Sequence, residues 1–227
     1  MEREAFVHAH TLARGARYKT GWFFLQITAA GRRAAMSDDE EQEVEEDPRI
    51  TKLYSFADKR SDEDGKYGKK GDTSDIDGEA FATLLDEVGT DNAIVLGGMW
   101  MGEASLARAY FTVAALIDAD EVTIDKCVEL KRIALKAVVK KGLVAGVHLL
   151  AALERYATNE AEDKAACLKT WKKVLQYCWE YEIVAEEDIR AWNEDERAAA
   201  KLQVQAKDAQ KLREKSLAFF EWLEQGE

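Results

Sequence analysis

The chain has 227 residues, 47% of them hydrophobic, with 32 Lys and Arg set against 44 Asp and Glu for a net charge of −12. That apolar content supports a core and excludes wholesale disorder. The acidic balance argues against nucleic-acid binding, DNA included, and favours basic partners. A single proline and 14 glycines favour long helices over a turn-rich β fold, and no apolar run reaches the length of a membrane span.

Residues 1–35 carry Arg3, Arg14, Arg17, Lys19, Arg32 and Arg33 against only Glu2 and Glu4. An Arg-rich, acid-poor leader has the composition of an organellar transit peptide. The favoured reading is an upstream extension, because Met36-Ser37-Asp38-Asp39-Glu40-Glu41 looks like an ordinary acidic start. Residues 36–75 read as a charged, disordered linker. Within them, 38–47 form a carboxylate run too poor in apolar surface to fold. Residues 50–56 would make one marginal helical turn or a docking peptide, and 58–75 alternate charge around Gly65, Gly68 and Gly71. A helical domain is expected over 76–227.

Residues 80–88 place Phe81, Leu84, Leu85 and Val88 at helical spacing, with Gly89 as the stop. Gly97, Gly98 and Gly102 then break an apolar stretch. No Gly-Lys-Ser/Thr follows them, so they are a break between helices and not a phosphate loop. A helix resumes over 103–117. Residues 123–141 give the clearest helical pattern, with Leu130, Ile133, Ala134, Ala137 and Val138 on one face and Arg132, Lys136 and Lys140 on another. Gly142 ends it, and the short connection predicts an antiparallel partner over 143–157 with Val147, Leu150, Ala151 and Leu153 apolar. Asn159 with Glu162 is a capping-box candidate for a helix striped by Leu168, Trp171, Leu175 and Cys178. A short helix over 183–192 follows. The last helix has an apolar seam of Leu212, Ser216, Phe219, Phe220 and Leu223. The expected class is all-α, a HEAT-like α-solenoid of antiparallel helix pairs behind a disordered N-terminal region. It rests on helix rhythm, with no exact sequence repeat.

Little here carries bond chemistry. Cys127, Cys167 and Cys178 are odd in number and lack C-x-x-C spacing, so they read as buried reduced thiols. His8 and His10 form a weak His-x-His metal signal, and His148 reads as a hydrogen-bonded core histidine. With no nucleophile elbow and no metal motif, the expectation is a non-enzymatic protein without cofactors.

Two blocks stand out instead. Residues 181–192 (Tyr-Glu-Ile-Val-Ala-Glu-Glu-Asp-Ile-Arg-Ala-Trp) and 219–224 (Phe-Phe-Glu-Trp-Leu-Glu) each set a tryptophan among aliphatic residues and carboxylates. Glu186, Glu187 and Asp188 fall in the first turn of a helix, where carboxylates complement the helix dipole. Trp192 and Trp222 sit at core spacing. The tryptophans are expected to pack and the carboxylates to meet lysines. An opposite pole is formed by Lys131, Arg132, Lys136, Lys140 and Lys141, with Lys169, Lys172 and Lys173. It reads mainly as a solvated face, though separate acidic and basic areas could hold two partners at once.

The two blocks resemble the aromatic-acidic boxes that close the W2-type HEAT domain of eukaryotic translation initiation factors, and residues 146–154 (Gly-Val-His-Leu-Leu-Ala-Ala-Leu-Glu) look like an internal helix of that domain. Within the family the pattern is most similar to the carboxy-terminal domain of initiation factor 5, with the exchange domain of the initiation factor 2B epsilon subunit as the alternative. The resemblance implies a cytoplasmic adaptor that grips the lysine-rich tail of the initiation factor 2 beta subunit. It also implies contacts with initiation factors 1 and 3, with initiation factor 2B as a further candidate, and a restraint on GDP release. By this resemblance Glu182, Glu186, Glu187, Asp188, Trp192, Glu221, Trp222 and Glu224 form or support the lysine-tail site. Lys131, Arg132, Lys136, Lys140 and Lys141 form a second, basic surface. An exchange domain would instead need a functional glutamate near its start, for which Glu103 is the candidate.

Overall fold

The computed structural model describes residues 48–58, 76–88, 103–118 and 122–225, all within one compact unit. The leader with His8 and His10, the carboxylate run at 38–47, the linker at 59–75 and Gly89, Gly97, Gly98 and Gly102 lie outside the described residues. Every regular element among those described is helical, as the all-α reading requires.

The helices are α1 (Pro48–Asp58), α2 (Gly78–Val88), α3 (Ala104–Leu116), α4 (Ile124–Leu130), α5 (Arg132–Lys140), α6 (Gly146–Arg155), α7 (Lys164–Glu180), α8 (Glu186–Glu194), α9 (Arg197–Lys201) and α10 (Ala206–Gln225), with a π turn at Tyr156–Glu160 after α6. Residues 50–56 are more than a marginal turn. Pro48 supplies the fixed φ suited to a first helical position, and Leu53 is fully buried. The ring of Phe56 lies 6.5 Å from that of Phe81 and Lys52 pairs with Glu87 at 2.8 Å, so α1 runs antiparallel to α2. Asp77 starts α2 by accepting the N–H groups of Glu79 and Ala80 at 3.0 and 3.1 Å.

The helices form two rows, α3, α6 and α8 in one and α4, α5, α7 and α10 in the other, and layers that meet within a row run parallel. In one row, Ser105 and Arg155-stacked Tyr110 on α3 meet His148 and Arg155 on α6. Gly146 and Glu154 on α6 in turn meet Asp188 and Trp192 on α8. In the other row, Lys126 of α4 lies over Tyr177 of α7 and Arg132 of α5 over Tyr181 just beyond it. Trp179 of α7 then meets Trp222 of α10. This stacking of helix layers is what a HEAT-like solenoid produces.

A repeated turn sets the layers. Gly142 (φ 70°) and Glu182 (φ 53°), forty residues apart, both take the left-handed conformation. After Gly142, the N–H groups of Leu143 and Val144 both donate to Val138 O. After Glu182, those of Ile183 and Val184 both donate to Cys178 O. The local sequences Leu143-Val144-Ala145 and Ile183-Val184-Ala185 then enter α6 and α8 from the same geometry, burying Val144 and Val184. Gln203 (φ 61°) opens a shorter version before α10, with Val204 donating to Ala199 O. Left-handed C-caps close off helix carbonyls in this way. The internal repeat therefore exists in the sequence, carried by three residues and a backbone angle.

Two further expectations need correction. The helix expected over 123–141 is two helices, broken at Lys131 (φ −98°, ψ 9°). The break resets the buried face, so α5 buries Ala134, Leu135, Ala137 and Val138 while Ile133 is 48% exposed. The Asn159–Glu162 capping box does not form. The π turn carries α6 past that point, Asn159 reaches Gln203 O at 3.2 Å, and Asp163 caps α7 through the Ala166 N–H at 2.9 Å. The three cysteines are buried and free as expected, with burial pushing the Cys178 thiol up to about 12.

A Cβ added at Gly142 would touch nothing within 4 Å, so Gly142→Ala isolates the cost of the left-handed backbone. Urea unfolding of this variant should show a loss of about 1 kcal/mol, with Gly142→Asn falling between the two. Equal stability of Gly142→Ala and parent would contradict the turn geometry.

Candidate partner-binding surface

Helix α8 is the centre of the site. Its first turn holds Glu186, Glu187 and Asp188, as the dipole argument predicts. The three carboxylates have different surroundings. Glu186 pairs with Arg190 one turn on at 2.7 Å. Asp188 turns inward: its Oδ2 would lie 2.4 Å from a Cβ at Gly146. Burial raises its pKa, with Glu187 adding to the effect and His148 opposing it. Glu187 is exposed and enters no ion pair among the described residues. It is the free carboxylate of the turn.

Trp192, at the other end of α8, is fully buried. Its indole N–H donates to Glu154 Oε2 at 2.8 Å and its ring lies 5.7 Å from that of Trp171. The Arg213 guanidinium sits 4.9 Å above the Trp192 ring and pairs with Glu154. It also donates to Trp192 O at 3.2 Å. Trp192 therefore supports the site and cannot touch a partner. Glu154 is 0% exposed. Desolvation pushes its pKa up, while Arg213 and the Trp192 N–H pull it back. Removing one member of such a buried pair strands the other at a cost of roughly 3–5 kcal/mol.

Sequence reasoning gave neither Glu154 nor Arg213 a role, although both positions carried a signal. Glu154 follows Leu150 and Ala151 at i+4 and i+3, and Arg213 follows Ala209 at i+4. Each is a charge on an apolar face, and their signs are opposite.

The second block lies on the last turns of α10. Phe219 is buried, Phe220, Trp222 and Leu223 are half-buried, and Glu221 and Glu224 are exposed without an ion pair among the described residues. Trp222 meets the ring of Trp179 edge-on, at 5.6 Å and 88°. Trp179 is 38% exposed and was not among the expected site residues. Its place one turn before Ile183 in the first block was the available clue. Arg190 of α8 lies 5.2 Å over Phe220. The two blocks thus meet through Arg190–Phe220, while Trp222, on the other flank of α10, packs on Trp179 just before the first block. The buried ring of Phe219 touches both Phe220 and Trp222 and joins the contacts into one aromatic seam.

Glu182 belongs elsewhere. It pairs with Lys136 of α5 at 2.7 Å, and this hydrogen bond holds its carboxyl below the usual range. The expected acidic and basic areas are therefore in contact and not separate. The basic surface is also smaller than expected. Lys131 is only 4% exposed because the chain breaks there between α4 and α5. Arg132 stacks on Tyr181 and donates to Glu129 O. Lys141 pairs with Glu79 at 2.7 Å. Lys140 alone of the five is exposed without an ion pair among the described residues, beside an open groove lined also by Ile76, Gly78, Ile133 and Ala137.

His148 is hydrogen-bonded and half-buried, close to the expected core histidine. Ser105 Oγ accepts the Ala145 N–H at 2.7 Å and lies 2.8 Å from His148 Nδ1. His148 Nε2 is 3.1 Å from Glu103 Oε2. Glu103, the candidate exchange glutamate, is also paired with Lys201, which lowers its pKa most. Burial lowers the His148 pKa from 6.5, against the pull of Glu103. Protons then bind the unfolded chain more tightly. This contribution to stability is complete above the unfolded value and is lost as pH falls below it. The urea midpoint should drop between about pH 7 and pH 5.5, and the drop should be smaller in His148→Gln. An identical pH profile for parent and variant would refute this assignment.

The W2 family model, described as eIF4-gamma/eIF5/eIF2-epsilon, matches residues 145–227. The match begins at the residue before α6. It takes in both blocks, the seam between them and the Glu154–Trp192–Arg213 cluster. No curated protein and no solved structure matches the chain. Over residues 145–227 the chain is thus similar to the W2 domains of translation initiation factors, a family of helical domains that bind other initiation factors.

Proposed function

We propose that this chain is a non-catalytic, cytoplasmic adaptor of translation initiation whose acidic-aromatic seam holds the lysine-rich tail of the initiation factor 2 beta subunit. The observation that carries the reading is the meeting of the two blocks. Residues thirty positions apart share one surface on which Glu187, Glu221 and Glu224 are exposed and free of ion pairs among the described residues. Next to these carboxylates in the chain are the half-buried rings of Trp222 and Phe220, with the partly exposed Trp179 packed on Trp222. Lysines suit such a surface twice over. Their ammonium heads meet carboxylates, and their methylene stems lie along aromatic rings.

Holding that tail would also restrain GDP release from initiation factor 2, as in the factor 5 type. The α5 face around Lys140 is the proposed seat for initiation factors 1 and 3, with initiation factor 2B as a further partner. Nothing in the placement of Glu103 favours the exchange reading, since its carboxylate is engaged by Lys201 and His148.

The test is calorimetric titration with a lysine-rich peptide. Exposed charge pairs contribute roughly 0.2–1 kcal/mol each, so Glu187→Gln, Glu221→Gln and Glu224→Gln combined should weaken binding about tenfold. The unfolding midpoint should barely change, and added salt should erode the difference. Equal affinity in parent and triple variant would sink the proposal. On initiation factor 2 itself the chain should slow GDP release. Acceleration would favour the exchange type.

A further inference from the structure

We infer that Arg190 is a built-in competitor, occupying one cation subsite of the partner-binding seam until a partner's lysine or arginine displaces it. This rests on the reading that the seam binds a basic segment. The subsite is visible because it is filled. The Arg190 guanidinium lies 5.2 Å over the Phe220 ring, while its Nε and a terminal nitrogen reach the same Glu186 oxygen at 2.8 and 2.7 Å. A ring face and a carboxylate placed together make a two-sided seat for a cation.

The ring and the carboxylate come from different helices, α10 and α8, so the seat exists only in the folded domain. Its position matters as much as its make-up. Glu186 adjoins the free carboxylate Glu187 in the first block and Phe220 adjoins Glu221 in the second, so the seat joins the two blocks. A basic segment running from one block to the other passes over it.

Arg190 is poorly suited to hold this seat against a partner. Its side chain is 48% exposed and that of Glu186 39%. The contact is therefore open to solvent and to exchange, unlike that of Arg213, which is enclosed with Glu154. A tethered arginine raises the threshold for binding. Single cations cannot displace it profitably, whereas a run of lysines gains Glu187, Glu221 and Glu224 at the same time. The subsite thus selects for multiply charged basic segments over isolated cations.

The experiment titrates an octalysine peptide into the full chain and into Arg190→Gln, with Lys215→Gln as a control that removes one exposed charge elsewhere on α10. Arg190→Gln should bind several-fold more tightly than parent and more tightly than Lys215→Gln. Adding Glu186→Gln should abolish the gain, yet the same change in the parent background should have little effect. Gains of equal size in Arg190→Gln and Lys215→Gln, or no gain in Arg190→Gln, would overturn the inference while leaving the adaptor reading intact. If the parent does not bind and Arg190→Gln does, the competitor stands and the adaptor reading fails for the unaided chain. If neither binds, both fail. Unfolding midpoints within error of parent show that the effect lies in the site.

Discussion

A single buried charge pair organises this domain. Glu154 and Arg213 face each other where water does not reach, and each is tolerable only because the other is present. Trp192 completes the cluster by donating its N–H to Glu154 and offering its ring to Arg213. Those three residues come from α6, α10 and α8. Helix α8 is short, and its buried side chains are few, Ile189 and Trp192. Its orientation therefore depends on the cluster at one end and on the contact of Asp188 with Gly146 at the other. What α8 presents to solvent, Glu186 and Glu187, follows from how it is pinned.

The charged surface is less divided than a linear reading of the chain suggests. Glu182 occupies the left-handed turn position and reaches across to Lys136. Arg132 covers Tyr181, whose hydroxyl lies 3.4 Å from Glu129. The turn that aims α8 is thereby joined to α5, and much of the apparent basic pole serves this joint. Packing against rings and neighbouring carboxylates consumes Arg132, Lys136 and Lys141. Among the described residues of the two blocks, the exposed carboxylates of Glu187, Glu221 and Glu224 enter no ion pair, so the accessible surplus at the seam is negative. Net surface character comes from what remains after internal pairing, and a composition count cannot supply that.

Much was legible in the sequence wherever one local rule decided the outcome. Helix periodicity identified α2, α3, α7 and α10, and dipole logic placed Glu186, Glu187 and Asp188 in a first turn. The burial of Trp192 followed from its spacing to aliphatic neighbours. Legibility failed where distant parts of the chain compete. The break at Lys131 cannot be read from 123–141, because an unbroken helix satisfies the same pattern. Asn159 looks like a cap, but a π turn and a contact with Gln203 claim it. The role of Trp179 depends on a partner, Trp222, that lies more than forty residues away, so local spacing does not reveal it. The forty-residue repeat was hidden by a glutamate standing where its counterpart has Gly142, since Glu rarely adopts a positive φ.

The central claim is that the two blocks form one basic-segment site distinct from the α5 face. Amide and indole chemical-shift mapping of the isotope-labelled chain during titration with a lysine-rich peptide tests it most directly. The account predicts that shifts concentrate on residues 186–190, on the Trp179 and Trp222 indoles and on 219–224, with the Trp192 indole little moved. Shifts centred on Lys136, Lys140 and Lys141, or spread evenly over the acidic surface, would contradict it.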